Sequence, residues 1–157
     1  MYFSNRLSFA SNPRRSFYYS ISTRFGQYFN GNIIQIQTTS NLRIQPYATL
    51  SLDVNYTNIK LPKPYNSADL WLIGPRFDVS FSRKVFLTSY FQYNNQINNV
   101  NINTRFQYRF RPVSDIFLVY TDNYFATEGF NDNGIPVNAW QPKNRAIVLK
   151  FNYWLNL

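Results

Sequence analysis

The sequence predicts an all-β fold, an antiparallel up-and-down transmembrane β-barrel, with about 8–10 strands in this chain as the C-terminal part of a larger barrel. Three observations predict it. Apolar and polar residues alternate with period 2 from end to end, clusters of Asn, Gly and Pro separate the alternating runs, and no apolar run approaches the roughly 20 residues of a membrane-spanning helix. The longest apolar stretch runs only from Ile116 to Tyr120. Although 45% of the 157 residues are hydrophobic and 20% aromatic, mean hydropathy is −0.37, so polar residues dilute the apolar ones evenly. Strands with one greasy and one wet face have this composition.

The elements follow in order. Phe3 to Ala10 is a weak strand whose inward side the pattern leaves open. Phe17, Tyr19, Ile21 and Phe25 oppose Ser16, Ser20, Ser22 and Arg24. Ile34, Ile36, Thr38, Leu42 and Ile44 oppose Gln35, Gln37, Thr39, Asn41 and Arg43. Leu50, Leu52, Val54 and Tyr56 oppose Thr49, Ser51, Asp53 and Asn55, while Trp71, Ile73, Phe77, Val79 and Phe81 oppose Arg76, Asp78, Ser80 and Ser82. Val85, Leu87, Phe91 and Tyr93 oppose Thr88, Tyr90, Gln92 and Asn94. From Val100 to Arg111 the even positions are apolar or Thr104, and the odd ones include Arg105, Arg109 and Arg111. Ile116 to Tyr124 alternates poorly. In the last run Ile147, Leu149, Phe151, Tyr153, Leu155 and Leu157 form one apolar face, opposite Lys150 and Asn152.

Connections alternate in length, as short periplasmic turns and long outer loops do. With the C-terminus in the periplasm, long outer loops fall near 61–67 and 127–144, and the turns at Asn12–Arg15, Gln45–Ala48, Ser82–Lys84 and Arg111–Ser114 lie inside. Roughly nine strands result, an odd number where bacterial barrels have an even one. Met1 then falls on the outer side, and upstream strands and domains are expected to complete the barrel, with residues 1–157 a single barrel domain or fragment. No secretory signal pattern opens the sequence.

Charge sets the chemistry. Sixteen Lys and Arg face seven Asp and Glu, a net charge of +9, and there is neither Cys nor His. Without thiol or imidazole, no metal site, cofactor or nucleophile triad is expected. The expected lumen-lining cations are Arg24, Arg43, Arg76, Arg105, Arg109 and Lys150, with Asp53, Asp78 and Asp122 as lumen carboxylates. Trp71, Ile73, Phe77, Val79, Phe106, Tyr108, Phe151 and Tyr153 are expected to face outer-membrane lipid. Aromatics near strand ends suit interfacial girdles.

Two stretches, Phe86-Leu87-Thr88-Ser89-Tyr90-Phe91-Gln92-Tyr93-Asn94-Asn95 and Asn103 to Tyr120 with its Arg111-Pro112-Val113-Ser114-Asp115 turn, resemble a known family. It is the C-terminal β-barrel region of a Bacteroidota outer-membrane domain of unknown function, which follows a carbohydrate-binding family 9-like domain. Ile59-Lys60-Leu61-Pro62 and Ala146 to Phe151 extend the likeness over roughly Ser16 to Leu157. The resemblance implies a Gram-negative outer-membrane location, glycan-derived solutes and no catalytic residue, while the inward cations point to anionic solutes. Val113 stands where it implies glycine.

The leading functional expectation is a pore or transport-associated envelope component, in which inward cations concentrate anions. A non-conducting anchor displaying an upstream glycan-binding domain is the alternative, with Arg–Asp pairs filling the interior. A soluble β-sandwich lectin, and a hydrolase using Asp53 and Asp78, are further alternatives. Nucleic acid is not an expected partner, because stacking surfaces carry aromatics and cations on one face and here they segregate.

Overall fold

The computed structural model describes residues 3–131 and 133–155. They form eleven strands: β1 (Ser4–Ala10), β2 (Phe17–Tyr28), β3 (Gly31–Ile44), β4 (Ala48–Lys60), β5 (Ala68–Ser80), β6 (Val85–Asn94), β7 (Asn99–Arg111), β8 (Ser114–Phe125), β9 (Gly129–Phe130), β10 (Pro136–Val137) and β11 (Pro142–Asn152). Nine of them make one antiparallel meander, β1-β2-β3-β4-β5-β6-β7-β8-β11, and no helix occurs among the described residues. The strands of the sheet beyond β1 run from 10 to 14 residues, twice the usual soluble length and enough to cross a bilayer at a tilt.

Turn chemistry explains where each strand stops. Pro112 and Val113 link β7 to β8, and Val113 has a φ of 58°. A proline followed by a left-handed residue is the pattern of a type II turn, which glycine ordinarily fills. Valine is therefore strained where glycine would not be. Phe29 and Asn98 take the same left-handed region, with φ of 50° and 46°, at two turns on the opposite end of the sheet. The loop expected at 61–67 lies between β4 and β5. The loop expected at 127–144 spans 126–141 instead and contains the β9–β10 hairpin, because Pro142 already pairs with Tyr124.

Register fixes the faces, since directly opposed residues share a side. On one face lie Phe17, Leu42, Leu50 and Phe77 in one continuous row. Tyr56, Trp71, Val79, Leu87, Phe106, Leu118 and Leu149 share that face. Arg43, Thr49, Asp78, Thr88, Arg105 and Val119 make a row on the other.

Three expectations fail locally. Asp122 does not join the polar face: it is paired with Ile102 and Arg145 and so stands on the apolar one. β8 carries apolar residues on both sides, so only its neighbours decide its register. Arg111 follows an irregularity between Arg109 and Arg111, and its Nη1 donates to the Tyr153 hydroxyl at 3.1 Å. The last strand ends at Asn152; the expected continuation to Leu157 fails at Tyr153, and Leu157, like Met1, lies outside the described residues.

No core covers the apolar face. Among the described hydrophobic residues only Ile33 and Val137 are buried, whereas Leu52, Trp71, Phe77, Phe106, Leu118 and Leu149 are exposed. The accessible surface is 11635 Å², against roughly 8,300 Å² for a compact monomer of this mass. Such an excess is that of a single layer. The strands are also staggered. A ladder row that starts at Leu7 passes Thr23, Ile36, Tyr56 and Trp71 and reaches β6 only at its loop end, by Asn95. Barrel closure requires a stagger of this kind.

Candidate functional site

The polar face begins as a consequence of alternation, which puts every second side chain of eight long strands on one side. Arg24, Arg43, Arg76, Arg105, Arg109 and Lys150 all share it, with Asp53 and Asp78. Arg6 and Asp115 join them; the weak alternation of β1 and β8 hid both from sequence reasoning. Within the nine strands this face carries seven cations, counting Arg6, against the three carboxylates Asp53, Asp78 and Asp115.

Part of that charge is neutralised locally. Arg76 grips Asp78 with two bonds, Nε to Oδ2 at 2.8 Å and Nη2 to Oδ1 at 3.1 Å, and Thr88 donates to the same carboxylate at 2.9 Å. Paired donors in a planar fork give this contact more strength and orientation than a single bond. Arg109 Nε and Gln107 Nε2 both donate to Asp115 Oδ1, at 3.1 and 2.9 Å. Thr39 donates to Asp53 at 2.7 Å. Arg43 lies over the Tyr18 ring, 4.6 Å from its centroid, and donates to the Pro13 carbonyl at 3.1 Å.

The remainder is not neutralised. Arg6, Arg24, Arg43, Arg105 and Lys150 have no ion pair among the described residues. Arg6 and Arg24 stand directly opposite one another across β1 and β2, an arrangement that repels unless an anion or water separates the charges. Together with Ser22, Gln35 and Gln37 they line a recess of about 110 Å³.

Between these charged zones the face is lined by amides and hydroxyls bonded across strands. Asn101 donates to Asn123 at 2.6 Å, and Asn123 in turn donates to Asn144. Asn103 donates to Thr121 at 2.8 Å, and Ser51 to Asn41 at 2.8 Å. Gly74 is buried in this face because the Tyr90 ring lies across it; a Cβ there would sit 2.9 Å from the Tyr90 hydroxyl. A cavity of about 320 Å³ opens beside Gln35, Gln37, Asn55, Thr57 and Asn94, with Leu70, Trp71 and Leu72 also lining it. Apolar residues interrupt the polar face, among them Ile33, Leu70, Leu72, Phe117, Val119 and Val148.

Asp53 and Asp78 do not form a catalytic pair. Their rows are four residues apart on β4, or about 13 Å at the rise of a strand, wider than the carboxylate spacings that serve glycoside hydrolysis. Each is also occupied by the donors named above.

The apolar face has two polar inserts. Asp69, near the start of β5, accepts from Tyr56 at 2.9 Å and Asn58 at 2.6 Å. Asp122 is fully buried, and its Oδ2 accepts from Tyr120 and Tyr124 at 2.6 Å each and from the Arg145 guanidinium at 2.7 Å. Both inserts lie toward the long-loop end of their strands. Between the strand ends the rest of the face is apolar apart from the hydroxyls of Thr23, Thr38, Ser40, Ser89 and Thr104, and it is fringed with rings: Tyr56 packs on Trp71 at 4.5 Å near the loop end, and Phe110 stacks on Phe151 and Tyr153 at 5.4 and 6.3 Å near the turn end. Trp71, Ile73, Phe77, Val79, Phe106, Tyr108 and Phe151 all stand on the apolar face. No family model, curated protein or solved structure matches this chain.

Proposed function

We propose that this chain is a wall of an outer-membrane β-barrel that serves as a pore or transport-associated envelope component for anionic solutes, glycan-derived acids among them. The observation that carries the reading is a nine-stranded single layer whose apolar face no second layer covers, with Leu52, Trp71, Phe77, Phe106, Leu118 and Leu149 exposed on it, and whose other face carries the cations. Water is a poor solvent for the first face and hydrocarbon for the second, so a boundary between lipid and an aqueous interior suits both. In β4 the apolar band runs from Ala48 to Tyr56, about 26 Å along the strand and roughly 20 Å of depth once tilted. Outer-membrane barrels carry a band of similar height with aromatic girdles. A soluble β-sandwich would need a second layer over this face, and the nine strands leave none.

Unneutralised Arg24, Arg105 and Lys150, and the facing pair Arg6 and Arg24, give the interior its anion preference. The test is conductance of the complete barrel in planar bilayers. Anion-selective current that loses its selectivity in Arg105→Gln with Arg24→Gln supports the pore; unchanged selectivity defeats the assignment of these side chains. The Arg76–Asp78 and Arg109–Asp115 pairs and the amide ladder favour a second reading, a filled interior that anchors a binding domain without conducting. A barrel that inserts yet passes no current would select that reading.

A further inference from the structure

We infer that the free edges of β1 and β11 are joined by an odd number of antiparallel membrane strands supplied from outside these nine, and not by each other or by a second copy of this chain. The inference rests on the barrel reading above. Its premise is direction. Every neighbouring pair in the sheet is antiparallel and the sheet has nine members, so the first and the last run the same way. β1 runs from Ser4, opposite Gly26 near the 29–30 turn, to Ala10, and β11 runs from Pro142, near the long loop, to Asn152. Brought together, they would pair in parallel.

A ring made from two copies meets the same obstacle. With both copies inserted in one orientation, β11 of one would lie parallel to β1 of the next at each junction. Inverting one copy would restore antiparallel pairing but would place its long loops on the opposite side of the membrane. One, three or five further strands remove the conflict and leave the even total that single-chain bacterial barrels have.

The edges themselves are suited to strand addition. All of β1 is exposed, and so is β11 except at Asn152. Alternate amides along both point away from the sheet, where within a bilayer they need partners. Neither strand is broken by an internal proline, and the inward charges Arg6 and Lys150 resemble those of the central strands, so they are not edge protection. The joining strands must continue the pattern: apolar side chains beside Leu7, Phe9, Ile147 and Leu149, and polar ones, acidic by preference, beside Arg6 and Lys150.

The chain has no cysteine, so disulfide scanning reads the edges directly. In the membrane-embedded protein, Ser8→Cys is paired in turn with Asn144→Cys, Ala146→Cys, Val148→Cys and Asn152→Cys. Ser8→Cys with Ser22→Cys and Val119→Cys with Val148→Cys serve as controls, because both pairs are register partners. Control disulfides with no edge-to-edge disulfide, together with amide exchange in β1 and β11 at least about 100-fold slower than in the loops, are the expected results. An edge disulfide within one chain, or between two copies, would overturn the inference while leaving the barrel standing. Fast exchange along β11 would overturn it as well, since the edge would then be bare. A chain recovered folded in the aqueous fraction without detergent would instead sink the barrel reading, and this inference with it.

Discussion

Replacing Val113 by glycine should make the protein more stable, against the usual effect of adding glycine to a β-sheet protein. Val113 sits at φ 58° in the two-residue turn after Pro112. A left-handed conformation costs an L-residue about 1–2 kcal/mol, and a β-branched one is worse placed still. Its side chain is 65% exposed, so little packing is lost on removal. Against the relief stands the extra freedom of glycine in the unfolded chain, about 0.4–1 kcal/mol. The difference is a stabilisation of about 0.5–1 kcal/mol, or roughly 1–4 °C in melting temperature for a chain of this size. Guanidinium titration in detergent micelles, followed by the fluorescence of the three tryptophans, gives the midpoint. Val113→Ala, which keeps the wrong handedness but loses the branch, should fall between. A midpoint for Val113→Gly at or below that of the parent would refute the strain argument.

Further outcomes follow from the two faces. Leu52 and Ser51 are neighbours on opposite sides of β4, so Leu52→Arg should destabilise the folded protein in lipid by about 2–4 kcal/mol. Ser51→Arg should cost less, about the 0.5–1.5 kcal/mol of its bond to Asn41 together with the repulsion of Arg76 opposite it; equal effects in a vesicle-folding titration would mean that lipid does not touch Leu52. Arg145→Leu should lower the unfolding midpoint because Asp122 keeps its burial and loses its cation, and the double variant with Asp122→Leu should recover most of the loss. If the double variant is worse than the single one, the buried carboxylate is not what Arg145 serves. Gly74→Val should also lower the midpoint, since the added side chain meets the Tyr90 ring, and Tyr90→Ala in the same background should restore part of it.

The residue pattern by itself determined the strands, the turns and nearly every facing. Period-2 alternation is a local property: once Leu50, Leu52 and Val54 are on one side, Ser51 and Asp53 must be on the other, whatever the rest of the chain does. Turn residues likewise act locally, which is why the Pro112 turn and the 61–67 loop could be placed without neighbours. Only the tertiary structure decided the rest. β8 has no alternation to read, so Asp122 is placed by its pairing with Ile102 and Arg145, residues 20 or more positions away in sequence. The Arg76–Asp78 and Arg109–Asp115 pairs depend on side-chain reach within a shared face, and the diversion of Arg111 depends on an irregular rung. The free edges of β1 and β11 are a property of the whole sheet, because a ladder's last member is known only when all its partners are counted.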